Sequence, residues 1–198
     1  MCANEIDANL ANRSKSMPVE EEPFVVLVDE NDNELGTERK MEAHYSALLH
    51  RAFSVFLFRE KKILLQKRAS TKYHSPGLWT NSCCSHPAPG ESLIAAATRR
   101  LEEELGIDQN FLSEITEAGS FHYRCELAEG LFEHELDHVL LAHYKGPFNL
   151  NPLEVEDVMW VSLPELQESI KQKPHLYTYW LPQVFSIASK EIDRADFF

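Results

Sequence analysis

No stretch of this sequence approaches the roughly 20 consecutive apolar residues that span a bilayer. The opening Met1-Cys-Ala-Asn-Glu-Ile-Asp-Ala also lacks the basic-then-apolar pattern of a secretory signal. The expectation is a soluble, cytoplasmic protein with no membrane partner. Cysteine is scarce: Cys2, Cys83, Cys84 and Cys125 include a vicinal pair but no Cys-x-x-Cys. Neither a disulfide framework nor a Cys-rich zinc site is therefore indicated, and free thiols in a reducing compartment are the simpler reading. Basic residues are outnumbered, 19 Lys and Arg against 32 Asp and Glu, for a formal net charge of −13. Phosphate backbones are bound through clustered Lys and Arg, which argues against nucleic acid as a partner. An anionic small molecule stays admissible if a local basic pocket or bound cations reverse the field at its site. Internal repeats and low-complexity segments are absent. The 198 residues, 43% apolar and 26% charged, are ordinary for one globular core.

Residues 1–22 are polar and aperiodic and read as a mobile N-terminal tail, leaving 23–198 as a single domain. Phe24 to Asp29, Ala52 to Phe58 and Ile63 to Gln66 read as strands, with a turn-rich segment between Glu30 and Gly36. Glu91 to Leu105 reads as a helix closed by Gly106. Phe121 to Glu126, Phe132 to Tyr144 and Val155 to Val161 return to strand character, and Ser162 and Pro164 lead into a C-terminal helical segment. This order predicts an α+β fold, a mixed β-sheet sandwich flanked by helices.

On the helix, Ile94, Ala97, Leu101 and Leu105 form an apolar stripe, widened by Leu93. Arg99, Glu102 and Glu103 fall on the solvated face, where Arg99 and Glu103 are spaced to pair. Glu104 falls on the buried side, with Arg100 one turn earlier. An unpaired carboxylate there is costly, so Glu104 is either ion-paired to Arg100 or held for a function. The stretch Ser85-His-Pro-Ala-Pro-Gly-Glu91 followed by Arg99-Arg-Leu-Glu-Glu-Glu-Leu-Gly-Ile107 resembles the Nudix box in every spacing. In that family glutamates of a loop-helix-loop hold divalent cations against a diphosphate, in keeping with hard oxygen ligation of Mg²⁺. Ser85 replaces the opening glycine, and Arg100 stands where hydrolases of the family carry a metal-binding Glu. That exchange should weaken hydrolysis while offering a bidentate donor to a diphosphate.

A second cluster lies in Leu131-Phe-Glu133-His-Glu135-Leu-Asp137. On a strand Glu133 and Glu135 project from one face. Alternating charge usually marks a solvated face, but the following Val139-Leu-Leu-Ala142 is apolar on both faces, as in a covered central strand. Buried paired carboxylates call for a cation. Arg51-Ala-Phe-Ser, Thr80-Asn-Ser-Cys-Cys84-Ser-His86-Pro, Phe121-His-Tyr123-Arg and Glu133-His-Glu135 together resemble the signature segments of type I isopentenyl-diphosphate isomerases, over about Lys40 to Trp180. The Nudix-like fold is then the expected one.

The resemblance implies a metal site of His44, His50, His86, Glu133 and Glu135, whose mixed donors admit Zn²⁺ or Mn²⁺. It implies a second site for Mg²⁺ at Glu104 and the backbone carbonyl of Cys84. Cys84 and Glu135 would be the acid–base pair, Tyr123 a hydrogen-bond partner of Glu135, and Trp180 an aromatic wall for a carbocation. Lys40, Arg68, Lys72 and Arg100 would contact the diphosphate of a small-molecule substrate. The reaction implied is conversion of isopentenyl to dimethylallyl diphosphate without flavin or nucleotide, in a monomer or a homodimer. A Nudix hydrolase and a non-catalytic Nudix-like binding module are the competing readings. The hydrolase is opposed by Arg100, and neither competitor needs Cys84 with Glu135. Trp79 reads as packing, and Glu91 as a residue at the helix start rather than a catalytic group.

Overall fold

The computed structural model describes residues 22–127 and 130–194. The tail read over residues 1–22 lies outside these, apart from Glu22, whose carboxylate accepts from Met41 N at 2.7 Å. The strands are β1 (Phe24–Val28), β2 (Glu34–Arg39), β3 (His50–Arg59), β4 (Lys62–Arg68), β5 (Trp79–Thr80), β6 (Cys83–Ser85), β7 (Thr116–Glu126), β8 (Phe132–His143) and β9 (Val155–Ser162). The helices are α1 (Lys40–Tyr45), α2 (Leu93–Leu105), α3 (Leu163–Gln172) and α4 (Leu181–Arg194).

The most continuous apolar runs become the middle of the sheet, as burial on both faces requires. β3 and β8 run parallel in register from His50 and Glu135 to Phe58 and His143. Val139 to Ala142 are at most 1% exposed. β7 pairs antiparallel with β8, and β4 with both β3 and β9. The turn from β3 to β4 places Glu60 and Lys61 at φ 48° and 62°, as a tight hairpin with the sheet's twist demands.

Side-chain alternation then builds two cores. Phe53, Val55, Leu57, Leu140 and Ala142 pack against Ala97, Leu101 and Leu105 of α2. Phe56, Phe58, Val139 and Leu141 pack against Leu166 of α3 and Leu181, Val184 and Ala188 of α4. The result is the expected mixed sheet between helices. Truncating a fully buried leucine such as Leu101 to Ala costs about 2–5 kcal/mol.

The signals that bound α2 are local. Ser92 accepts from Ala95 N at 3.2 Å at one end, and Gly106 adopts φ 63° at the other. A Cβ on Gly106 would also lie 2.5 Å from Asn149 O. The apolar stripe differs from the expected one at two positions: Ile94 is 43% exposed, and Ala96 is buried in its place. The sheet meets the first turn of α2 at a small side chain, which lets the helix sit close. Arg99 pairs with Glu103 at 3.3 Å and with Glu91 at 2.7 Å, so Glu91 ties the loop to the helix. β2 and α1 fall in segments with no periodic apolar pattern: every residue of β2 except Glu38 is exposed, and α1 is a six-residue helix without a side-chain cap.

Candidate active site

The pleat of β8 sends Glu133, Glu135 and Asp137 to one face, and the neighbouring strands supply their partners by register. His50 of β3 stands beside Glu135, and Tyr123 of β7 stands opposite it. β6 pairs Cys84 with Ser54 of β3. Successive strand residues face opposite ways, so the vicinal cysteines are separated. Cys83 is buried in the α2-side core, whereas Cys84 packs on the α4-side with Tyr123. A recess on that side is lined by Cys84, Glu135, Tyr123, Trp180, Glu133 and His86, together with Lys40, Arg68, Lys72 and Arg100. The remaining predicted residues, His44, His50 and Glu104, are buried directly behind the lining. The geometry thus brings the whole predicted set to one place.

The histidines show why a cation fits. His44 Nδ1 and His50 Nδ1 each lie 2.8 Å from a backbone carbonyl, of Lys40 and Leu48. A carbonyl can only accept, so these nitrogens carry the protons and the Nε2 lone pairs face inward. His44 Nε2 meets Glu133 Oε2 at 3.4 Å, and both atoms are buried without a hydrogen-bond partner. His86 Nε2 lies 2.8 Å from Glu135 Oε1 and 3.2 Å from His50 Nε2. Donor atoms of His44, His50, His86 and Glu135 all lie within 4.8 Å of one another. Inward lone pairs and carboxylate oxygens with too few protons between them match the donor set of a divalent metal.

Charge is distributed unevenly over the site. Burial lowers His86 to about 3, keeping it neutral. Burial would raise Glu135, but the imidazoles of His50 and His86, 3.5 and 2.8 Å from its Oε1, hold it well below the usual carboxylate range, while burial and the charge of Glu135 raise Glu133. Two carboxyl groups sharing one face are driven apart in this way. Tyr123 Oη donates to Glu135 Oε2 at 2.6 Å. Burial pushes the Cys84 thiol up to about 12, against the pull of the Arg68 guanidinium, whose Nη1 is 3.9 Å from Sγ. At neutral pH the recess therefore holds a protonated thiol and an ionised carboxylate.

Trp180 closes the wall at 3% exposure. Its Nε1 donates to Asn81 Oδ1 at 3.2 Å, and Thr178 N donates to Trp79 O at 3.0 Å, anchoring the segment before α4. Trp79 packs against the α4-side core. The Arg68 guanidinium lies 5.7 Å from the Trp180 ring centre, so this ring already faces a cation.

The basic residues are not plain surface charges. Arg68 is 4% exposed and is held by His74, through its carbonyl at 3.1 Å and its Nε2 at 3.3 Å. Lys40 lies over the Tyr73 ring at 5.1 Å, and burial lowers its pKa. Glu104 receives Arg100 Nη2 at 2.7 Å and Gln66 Nε2 at 3.1 Å, so the ion-pair alternative for Glu104 is realised. Each carboxylate oxygen keeps a further lone pair, so a hard cation fits there as well.

Six residues of the lining fall outside the set assigned from sequence: Phe53, Ser54, Tyr73, His74, Ser85 and Asp137. Asp137 was legible as the next residue in the alternation of Glu133 and Glu135. It is buried, accepts from Ser54 Oγ at 2.8 Å through Oδ2, and has no partner at Oδ1. His74, lowered to about 2 by burial and Arg68, stands alone in a loop and carries no sequence signal.

Comparison with known proteins agrees with this geometry. A NUDIX domain model matches residues 48–182. "Isopentenyl-diphosphate Delta-isomerase 2" of Aromatoleum aromaticum is 48% identical over 161 residues, 81% of this chain and 83% of that protein. "Isopentenyl-diphosphate Delta-isomerase" of Aliivibrio fischeri is 44% identical over 178 residues, 87% of this chain and 98% of that one. Among solved structures, DR0079 from Deinococcus radiodurans superposes with a TM-score of 0.67 at 17% identity, covering 82% of this chain and 97% of that one. The MutT NUDIX hydrolase of Burkholderia pseudomallei superposes at 0.56 with 25% identity, covering 70% and 96%. Among the described residues no helix is long and apolar enough to cross a membrane. With a matching domain over most of its length and isomerases as its nearly half-identical relatives, the chain belongs to the Nudix family, among the type I isopentenyl-diphosphate isomerases.

Proposed function

We propose that this protein uses a divalent metal to convert isopentenyl diphosphate to dimethylallyl diphosphate by an antarafacial-type 1,3-allylic proton shift, with Cys84 and Glu135 as the acid–base pair. The observation that carries the reading is the single recess in which the Cys84 thiol and the Glu135 carboxylate both stand, one on β6 and one on β8. One group adds a proton to the terminal alkene carbon, leaving a tertiary carbocation. The other removes a proton two carbons away, so no proton is gained or lost overall. Trp180, 3% exposed, faces the cation with the half-buried Tyr123 beside it at 6.5 Å between ring centres, an aromatic wall that shields the cation from water. Stabilisation of a desolvated cation by such a ring is worth about 2 kcal/mol or more. Tyr123 orients Glu135 through its hydrogen bond.

His44, His50, His86, Glu133 and Glu135 would hold Mn²⁺ or Zn²⁺. Glu104 and the Cys84 carbonyl would hold Mg²⁺ beside a diphosphate contacted by Lys40, Arg68, Lys72 and Arg100. Bound there, such cations supply positive charge that neutralises the substrate and tunes Glu135. A thiol in this role needs a reducing compartment, and the reading assigns the cytoplasm.

The test is proton NMR of isopentenyl diphosphate in deuterated water with the protein and divalent metal. Conversion to the dimethylallyl methyl signals with deuterium incorporation is expected. Release of phosphate, or a spectrum that shows binding without turnover, would instead establish the hydrolase or the binding module.

A further inference from the structure

Lys72 and Arg100, two of the four basic residues given to the diphosphate in the reading above, are already engaged. Lys72 Nζ is ion-paired to one oxygen of Glu154, and Arg100 Nη2 lies 3.5 Å from the other. Arg100 also meets Glu103 at 2.6 Å and Glu104 at 2.7 Å. Lys72 and Arg100 thus face three carboxylates, of which Glu103 is shared with Arg99 at 3.3 Å, so their charge is largely offset before any substrate arrives.

The placement of Glu154 is built into the fold. It immediately precedes β9, its N–H donates to Asn151 O at 3.0 Å, and its carbonyl accepts from Ala69 N at 3.0 Å. Lys72 N donates to Ala69 O at 3.1 Å, so the turn that presents Lys72 is fastened to the backbone of the residue that holds its side chain. Burial opposes charge on Glu154, yet Lys72 and Arg100 keep its carboxyl below the usual range and ionised.

We propose that Glu154 is a positioning residue that clamps Lys72 and Arg100 into one cationic pair and cancels enough of their charge for the corner to accept a diphosphate only with a divalent cation. A bare diphosphate meets the repulsion of fixed carboxylates in a partly desolvated corner, where charges interact more strongly than in water. A divalent ion arriving with it reverses that balance. The carboxylate thus acts against the wrong ligand, here the metal-free anion, rather than for the right one.

The inference depends on the diphosphate reading, and the experiment separates the two. Inorganic diphosphate is titrated calorimetrically into the full chain and into Glu154→Gln, in chelator and again in Mg²⁺. The amide preserves size and both backbone bonds. In chelator the variant should bind about tenfold tighter than the unsubstituted chain, since one carboxylate charge facing the anion has gone. In Mg²⁺ that gain should shrink or reverse, because the cationic pair has lost its clamp. Glu154→Asp keeps the charge and should retain the metal requirement. Equal metal-free affinities, the same gain in both media, or an Asp variant that behaves like the Gln variant would each overturn the proposal. If the unsubstituted chain binds no diphosphate even with Mg²⁺, the diphosphate reading falls and the inference with it.

Discussion

Replacing Tyr123 with Phe removes one oxygen and leaves the rest of the site standing. The ring is held by Phe121 at 5.5 Å and Trp180 at 6.5 Å between centres, so the variant should fold. Burial and the nearby Glu135 raise the phenol well above its ordinary pKa, so Tyr123 is a donor at every working pH. The lost bond, at 2.6 Å to Glu135 Oε2, joins a neutral O–H to a carboxylate. Bonds of this type are worth about 1.5–3 kcal/mol. Because the bond favours the charged form of Glu135, its loss raises that pKa. If the bond strengthens on reaching the transition state by about its full worth, its loss lowers kcat about tenfold to a hundredfold. The assay is kcat against pH, followed by NMR: the limb that reports Glu135 should move to higher pH while kcat drops. A variant with unchanged kcat and an unshifted profile would refute the assignment of Tyr123 to Glu135.

Cys84→Ala should abolish isomerisation in a folded protein, whereas Cys83→Ala should keep it and lose about 1 kcal/mol of stability in denaturant melts; full activity in the first variant would remove the thiol from the mechanism. Chelation should lower Tm, because His44 Nε2 and Glu133 Oε2 are then buried without a partner. Re-adding metal at a hundredfold its Kd should restore about 2.7 kcal/mol, and calorimetry showing no change would count against the site. The Arg99 guanidinium, with a smaller pull from Ala88 N, holds Glu91 below its ordinary value. The stability from this depressed pKa is complete above the unfolded value of 4.5 and drains as pH falls through the folded one. Urea midpoints should therefore fall more between neutral and acid pH for the wild type than for Glu91→Gln, and parallel curves would show that the contact contributes nothing.

The sequence by itself determined the elements whose signals are local: the central strands by their apolar runs, α2 by Ser92 and Gly106, and the shared face of Glu133 and Glu135 by strand alternation. It also carried the site's composition, through motif segments scattered from Lys40 to Trp180. Ile94 was misplaced because a helical wheel knows the period but not the partner surface, and a small residue, Ala96, took the contact instead. Only the tertiary structure decided which strands neighbour β8, and hence that His50 and Tyr123 flank Glu135. It alone placed His74 against Arg68, Asp137 beside Ser54, and Glu154 between Lys72 and Arg100. Lys72 and Glu154 are 82 residues apart, and no pattern along the chain records a meeting made by the pairing of β4 with β9. Local periodicity fixes which way a side chain points, while strand register across the sheet determines what it meets there.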